Sequence, residues 1–486
     1  MKDKKFRKKI SGFIFSAIAA LSTPFLLMGC STQPTTENVF VTGISKSTTD
    51  GGNNYLITYS NGTSSTITIE NGKDGSDVTI DDILKKYKEE YGEIEYNEFL
   101  NKYLSISTTD NSRIANECLL SCLKVYTEFY TTQDVSTISS WSGFYPPTVR
   151  QEKVVNVMCG SAVIYKIEDD FTYVITNYHV VYSANVNEDN GSNFAHKIVG
   201  YLYGSDGTPK QDEKNADGYI QYDYGQFALN FTLVGGSVDH DIAILKVPTE
   251  DMININPNAK AVTMAETYYV GETAIAIGNP ENAGISVTEG VISVDNEYIQ
   301  LNIDGNTRNY RTIRMDTAIY GGSSGGGLFN SRGELIGITN AGDGTDQNIN
   351  YAVPLDIVKN VTDNILYYYD GTNTSTVKKI FLGITPTITD SRYVYDSSKG
   401  YGNIIETIAV KEITANSIAA NWGLAPDDTL VCLIINDEEH NINRNFEMRD
   451  LILTIRAGDN ISIKYIRKGT ECVSPNYTVK ESDLTS

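Results

Sequence analysis

The 486-residue chain is predicted to be mainly β, on three observations. From residue 150 onward, short β-branched and aromatic runs recur: "KVVNVMCGSAVIYKI", "FTYVITNYHVV", "QFALNFTLV", "DIAILKV", "ETAIAIG", "ISVTEGVISV" and "ELIGIT". Gly, Asn and Asp turns separate them, the pattern of an all-β sandwich or barrel. A second β-rich stretch, 377–480, follows the polar, turn-rich "DGTNTST" at 370–376, which reads as a linker. Finally, the chain is too long for one ordinary domain, and 40% hydrophobic with 10% aromatic residues is enough for packed cores.

The N-terminal part is read differently. "MKDKKFRKK" is a basic start, followed by the apolar run "ISGFIFSAIAALSTPFLLM" and then Gly29-Cys30. A basic region, an apolar region and a small residue before a cut site make a secretory signal over 1–29. The ending resembles a bacterial lipobox, with Cys30 as the lipid-bearing first residue. The alternative is a plain membrane anchor, since a run of about nineteen apolar residues just spans a bilayer. A cysteine at that place has no role in an anchor. Residues 30–140 are expected to form a membrane-proximal tether. Its β-prone runs "YLITYS" and "STITIE" alternate with Asn-Gly turns, and residues 79–104 and 113–130 show helical spacing.

The balance of 39 basic against 61 acidic residues, net −22, argues against nucleic acid as a partner. Removing residues 1–29 takes away six basic residues and Asp3, so the mature chain is more negative still. Membrane attachment would therefore come from lipid rather than from a basic patch. Five cysteines beyond Cys30 are too few and odd in number for a disulfide scaffold. Cys118 and Cys122 sit four apart on an expected helix, where packing is the plain reading. No third or fourth ligand is near, so no metal and no cofactor is expected.

Only four histidines are present: His179, His196, His240 and His440. In "YVITNYHVV" a strand ends at His179, where an imidazole can face a cleft. In "DHDIAILKV" Asp241 immediately precedes an apolar strand, so its carboxylate lies where the chain enters the core. Asp239 is a rival further out in a polar loop, and His240 between them is expected to face solvent. The third piece is "GGSSGGG" at 321–327. A linker would not run at once into the hairpin pattern "LFNSRGELIGI", and a phosphate loop would need a lysine. Glycines flanking a serine permit a strained turn that exposes its hydroxyl and aims backbone N–H groups at one point.

The order His, Asp, Ser, with "TNYHVV", "DIAILKV" and "GSSGGGL", resembles the trypsin-like serine proteases, specifically the HtrA family. "GSAVIY", "AIGNP", "TEGVIS" and "NYAVPLDIV" support the resemblance, which covers residues 150–368. It implies a chymotrypsin-like double β-barrel protease domain over 150–369. It also implies His179 as general base, Asp241 as its orienting carboxylate and Ser324 as nucleophile, with the N–H groups of Gly322 and Ser324 as oxyanion hole. The Gly-X-Ser-Gly-Gly pattern selects Ser324 over Ser323. Tyr320-Gly321 and Gly327 stand where the family has Asn-Pro and Pro, so a loose loop is expected. In disulfide-bonded relatives a cysteine at the place of Cys159 pairs with the residue after the histidine. That residue is Val180 here, so Cys159 is expected to be a free buried thiol. The acidic, tyrosine-rich segment 204–226, between His179 and Asp241, is longer than the family pattern and is expected to form an extended hairpin.

"FLGI" at 381–384, with the β-rich stretch that follows, resembles the PDZ domain attached to HtrA proteases. Phe381, Leu382, Gly383 and Ile384 would then form the loop that holds a peptide carboxylate. Asp427-Asp428 replaces the usual Gly-Asp of a later turn. The function implied is a lipid-anchored, extracytoplasmic serine endopeptidase, homotrimeric, that acts on unfolded polypeptides and recognises peptide C-termini. A non-catalytic holdase or adaptor that binds unfolded chains is the alternative. A complete His, Asp and Ser set opposes it.

Overall fold

The computed structural model describes residues 41–49, 52–59, 64–69, 111–137 and 148–485, apart from 189, 206, 343–345, 347 and 398–399. The expected signal segment 1–29, Cys30 and the helix read in 79–104 lie outside the described residues. Among the described residues no helix is long and apolar enough to cross a membrane.

The chain divides into two units, 1–110 and 111–486. In the first, strands β1 (Val41–Thr49), β2 (Gly52–Tyr59) and β3 (Ser64–Ile69) form an antiparallel meander.

The second unit opens with helix α1 (Asn111–Leu119). Strands β4 (Cys122–Thr137), β5 (Thr148–Ile167), β6 (Phe171–Thr176) and β7 (Lys197–Leu202) follow. Next come β8 (Lys210–Lys214), β9 (Ile220–Asp223), β10 (Leu229–Ser237) and β11 (Ile242–Pro248). The order β11-β6-β5-β4-β7-β10 closes into a barrel because β10 pairs back to β11, while β8 and β9 form a separate hairpin. The expected long insertion hairpin is therefore present. Residues 113–130, expected to be helical throughout, are helical only to Leu119. The reason is visible along β4: Leu123, Val125, Thr127 and Phe129 are buried on one face and Tyr126, Glu128 and Tyr130 on the other. With both faces covered, near-continuous apolarity mimics a buried helix, and β-branched and aromatic residues settle the choice for strand. The first barrel thus begins well before residue 150, and β4 belongs to it rather than to a tether.

A second barrel is built from β12 (Thr263–Met264), β13 (Thr273–Gly278), β14 (Ser286–Asn302), β15 (Thr307–Met315), β16 (Gly327–Phe329), β17 (Glu334–Gly342) and β18 (Asn350–Pro354). The ring β13-β14-β15-β18-β17-β16 closes on itself, with β12 added in parallel to β17. Strand alternation distributes the apolar side chains. Along β11, Ala243 and Leu245 join the first barrel's interior with Leu123, Ile164 and Val174. Ile242 and Ile244 instead join a core shared with Ile275, Ile277 and Phe329 of the second barrel. Helices α2 (Tyr178–Val181) and α3 (Thr249–Ile255) are short. Helix α4 (Leu355–Tyr368) begins after Pro354 and buries Ile357, Val358, Val361 and Ile365, one face of the helix, in the shared core.

Residues 375–485 form a smaller β-rich body. Part of the expected linker is strapped down, since β19 (Ser375–Thr376) pairs in parallel with Gly235–Gly236. β20 (Lys379–Ile380) precedes the sheet strands β21 (Ile384–Asp396), β22 (Tyr401–Ile413), β23 (Thr429–Ile435), β24 (Glu438–Asn441), β25 (Asn460–Arg467) and β26 (Thr470–Val473). The order is β21-β22-β23-β25-β26, which leaves β21 at an edge. Helix α5 (Ile418–Asn421) lies between β22 and β23. The Asp427-Asp428 pair has a use: Asp427 takes the left-handed φ of 71° that glycine would supply. Asp428 accepts from Ala425 N–H at 2.8 Å and pairs with Arg467.

Arg311 of β15 ties this body to the barrels. Its side chain is 4% exposed, pairs with Asp356 of α4 and lies 2.5 Å from Asp450 of helix α6 (Glu447–Leu451). Its guanidinium covers the Phe446 ring at 4.1 Å. Burial holds the Asp450 carboxyl well above the usual range, with Arg311 opposing. Removing one partner of a buried ion pair strands the other, at about 3–5 kcal/mol. Arg311→Ala is therefore expected to lower stability by about that amount in urea unfolding. A loss below about 1 kcal/mol, the surface-pair value, would contradict this.

Candidate active site

The first barrel supplies two groups. β6 ends at Thr176 and the chain turns through Asn177 into α2, which places His179 beside the β10–β11 turn rather than at the strand end itself. Asp241 occupies that turn at φ 53°, fully buried. A non-glycine residue in this conformation is strained and persists where surrounding bonds hold it. Those bonds are present: Oδ2 lies 2.7 Å from His179 Nδ1, and Oδ1 accepts the His179 backbone N–H at 2.9 Å. Asn340 Nδ2 donates to Oδ2 at 2.9 Å, and Asn177 Nδ2 donates to the Asp241 carbonyl at 2.9 Å. Burial lowers the His179 pKa, but the Asp241 charge and hydrogen bond outweigh it, leaving it above the ordinary imidazole value.

The second barrel supplies the serine loop between β15 and β16. Ser161 N–H donates to the Ser324 carbonyl at 2.8 Å and Gly325 N–H to Thr339 O at 2.9 Å. Thr339 Oγ1 donates to Ser323 O at 2.6 Å. The loop is thus held closely, contrary to the looseness its glycines suggest. Glycine is needed here for close approach: a Cβ at Gly322 would sit 2.4 Å from Asn279 O, and one at Gly325 2.1 Å from Ser161 O. Among the described residues, neither the Gly322 nor the Ser324 N–H donates to a protein acceptor. The Ser324 hydroxyl donates to Asn340 O at 3.0 Å. Cys159 is a free, half-buried thiol.

Sequence reasoning missed Asn340, Asn177 and Ser161. Isolated polar residues within or just after strands carry no pattern, and only the closed barrels bring them to Asp241 and Ser324. Asp239 is not a rival to Asp241, since it binds Arg308 at 3.2 Å and Lys379 at 3.0 Å.

His240 is half-buried rather than solvent-facing, with Nδ1 2.7 Å from Ser237 Oγ. Burial, with Lys379 acting in the same direction, pushes its pKa down to about 4. The unfolded chain therefore takes a proton near the ordinary value of 6.5 while the folded chain does not. Stability from this residue is complete above that value and falls as pH drops toward about 4. The change is on the order of 3 kcal/mol. Urea unfolding at pH 7 and pH 4.5 is expected to show a smaller acid loss in His240→Gln than in the wild type; equal losses would refute it.

Of the expected C-terminal loop, Phe381 is exposed, Leu382 is buried and Ile384 opens β21. Gly383 has φ 81°, and a Cβ there would meet the Ser417 Cβ at 2.2 Å. A cavity of about 410 Å³ lies beside this loop, bounded also by Met448, Ile452, His240 and Arg311. Among the described residues no group of three or more His, Cys, Asp or Glu is placed to hold a metal.

Two closed six-stranded barrels with a buried carboxylate-imidazole pair on one and a glycine-bound serine on the other define a trypsin-like serine protease. The profile of the trypsin-like peptidase domain matches residues 160–338. The chain is 29% identical over 296 residues to the serine endoprotease DegS of Haemophilus influenzae, covering 59% of this chain and 78% of that protein. It is 30% identical to DegS of Escherichia coli K12, covering 52% and 67% respectively. With the periplasmic serine endoprotease DegP of Escherichia coli K12 it shares 31% identity over 66% of this chain but 57% of DegP. Among solved structures, the HtrA-type protease AlgW with decapeptide aligns with a TM-score of 0.44 and 24% identity over 77% of this chain and 98% of AlgW. The chain belongs to the HtrA family of serine proteases.

Proposed function

We propose that the protein is an exported serine endopeptidase that cuts unfolded or misfolded polypeptides outside the membrane, to which lipid on Cys30 attaches it. The observation that carries the reading is the fully buried Asp241 bonded to both the backbone and the imidazole of His179. An imidazole whose Nδ1 faces a carboxylate leaves Nε2 to take the proton of a serine hydroxyl. The Ser324 hydroxyl rotates from the Asn340 carbonyl to His179, attacks the substrate carbonyl and yields its proton. Asp241 stabilises the imidazolium, which then protonates the leaving amine. Gly322 and Ser324 N–H groups hold the oxyanion, worth about 10²–10³-fold per donor.

Residues 377–480 act as a PDZ domain that receives a polypeptide C-terminus at Phe381–Ile384, with the peptide adding to the free edge of β21. The left-handed Gly383 and the adjoining cavity support this. The assembly is a homotrimer, as the resemblance implies. The test is reaction of the full chain, freed of residues 1–30, with a serine-directed fluorophosphonate, alongside casein cleavage, with and without an added C-terminal peptide. Labelling with cleavage supports the reading. Absence of both under all conditions overturns it in favour of a binding protein.

A further inference from the structure

The turn Asn279–Gly284 lies against the serine loop without taking part in proton transfer or bond cleavage. Resting on Ser324 as nucleophile, we infer that this turn aims the Gly322 N–H, and that Tyr126 and Ser161 are positioning residues acting through it. In a trans peptide the N–H and C=O of one unit point in opposite directions. The Gly322 N–H shares its unit with the Gly321 carbonyl, and that carbonyl accepts the Glu281 N–H at 2.6 Å. The following carbonyl, Gly322 O, accepts the Ser161 hydroxyl at 2.8 Å, and the same hydroxyl accepts the Asn279 N–H at 2.8 Å. Both peptide units around Gly322 are therefore pinned to the turn, and the oxyanion donor cannot swing away without breaking one of these bonds.

The turn is itself strained. Glu281 and Asn282 stand at φ 52° and 59°, a region costly for a side chain like glutamate. Besides its backbone bonds, two bonds to asparagine side chains hold it: Gly284 N–H donates to Asn279 Oδ1 at 3.0 Å, and the Tyr126 hydroxyl donates to Asn282 Oδ1. Tyr126 is 2% exposed because Tyr201 stands edge-on to it at 5.9 Å and Tyr224 lies 6.4 Å away. Tyr224 comes from the insertion 204–226 and is locked by its own hydroxyl on Glu128 at 2.8 Å. Through Tyr224 the insertion encloses the tyrosine that braces the oxyanion loop from outside the barrel.

The experiment measures steady-state cleavage of a fluorogenic peptide and inhibition by a peptide boronic acid, whose tetrahedral adduct fills the oxyanion site. Tyr126→Phe and Ser161→Ala are each expected to lower kcat about ten- to a hundredfold with KM little changed, and to weaken boronate inhibition in parallel. Asn282→Ala should behave alike, while Asn282→Asp keeps an acceptor and should restore most of the rate. Tyr165→Phe, which loses a comparable hydroxyl bond to Asp363, should match the wild type. Thermal unfolding identifies any variant not folded at the assay temperature, and the three substitutions report independently. Wild-type kcat in Tyr126→Phe and Ser161→Ala overturns the inference, as does an equal fall in Tyr165→Phe. A wild type with no cleavage beyond that of Ser324→Ala refutes the nucleophile assignment itself, a separate outcome.

Discussion

Ser324→Ala is expected to reduce peptide and casein cleavage by about 10⁶-fold, the cost of removing a nucleophile that works as one unit with its base. Ser323→Ala, one residue away in the same glycine-rich loop, is expected to stay within about tenfold of the wild type. The contrast follows from what each hydroxyl touches. Ser323 is buried, and among the described residues its Oγ accepts only the Tyr320 N–H, at the long distance of 3.4 Å. A hydrogen bond of that kind contributes about 0.5–1.5 kcal/mol, roughly a factor of ten at most. Ser324 Oγ donates to Asn340 O, the residue whose side chain also donates to Asp241. One asparagine therefore joins the serine and the carboxylate. Rates for both variants, with fluorophosphonate labelling, check the assignment. Comparable losses in the two would show that the loop, not one hydroxyl, carries the activity.

Asp241→Asn is expected to lower kcat by about 10⁴-fold, the magnitude known for chymotrypsin-type triads. The carboxylate accepts three hydrogen bonds, from His179 N–H, His179 Nδ1 and Asn340 Nδ2. An amide must turn an NH₂ toward one of those donors, and it favours the imidazole tautomer that cannot accept the serine proton. The pH dependence moves as well. Burial lowers the His179 pKa and Asp241 more than restores it, so the wild-type acid limb lies above the ordinary imidazole value. The base works when neutral, hence kcat/KM falls as pH drops through that raised pKa. With the charge gone, burial dominates and the limb moves to lower pH. A pH profile of kcat/KM measured on both proteins decides; an unmoved limb would mean that Asp241 does not set the proton affinity of His179.

Much of this site was legible in the chain because its parts sit at punctuation. His179 follows a β-branched run, Asp241 precedes one, and Ser324 lies among glycines that both a left-handed backbone and close packing require. Strand density and turn residues likewise marked a β sandwich or barrel, and the family resemblance implied that there are two barrels. Residues 113–130 misled because β4 is covered on both faces, which removes the alternation that distinguishes a strand from a buried helix. His240 misled because its cover comes from Lys379 and the β-rich body after the linker, far away in the chain.

The amino-acid order alone gave the strand content and the candidate His, Asp and Ser positions, while the preference for Ser324 over its neighbour rests on the pattern of the family the chain resembles. Each depends on residue type and near neighbours. The tertiary structure decided the rest. Asn340, Ser161 and Tyr126 reach the site from separate strands, and Arg311 finds its carboxylates on two different bodies. The glycines at 322 and 325 changed meaning, from looseness to close contact. Such relations depend on which strands are brought side by side, and closing two barrels is a long-range event that no local pattern encodes.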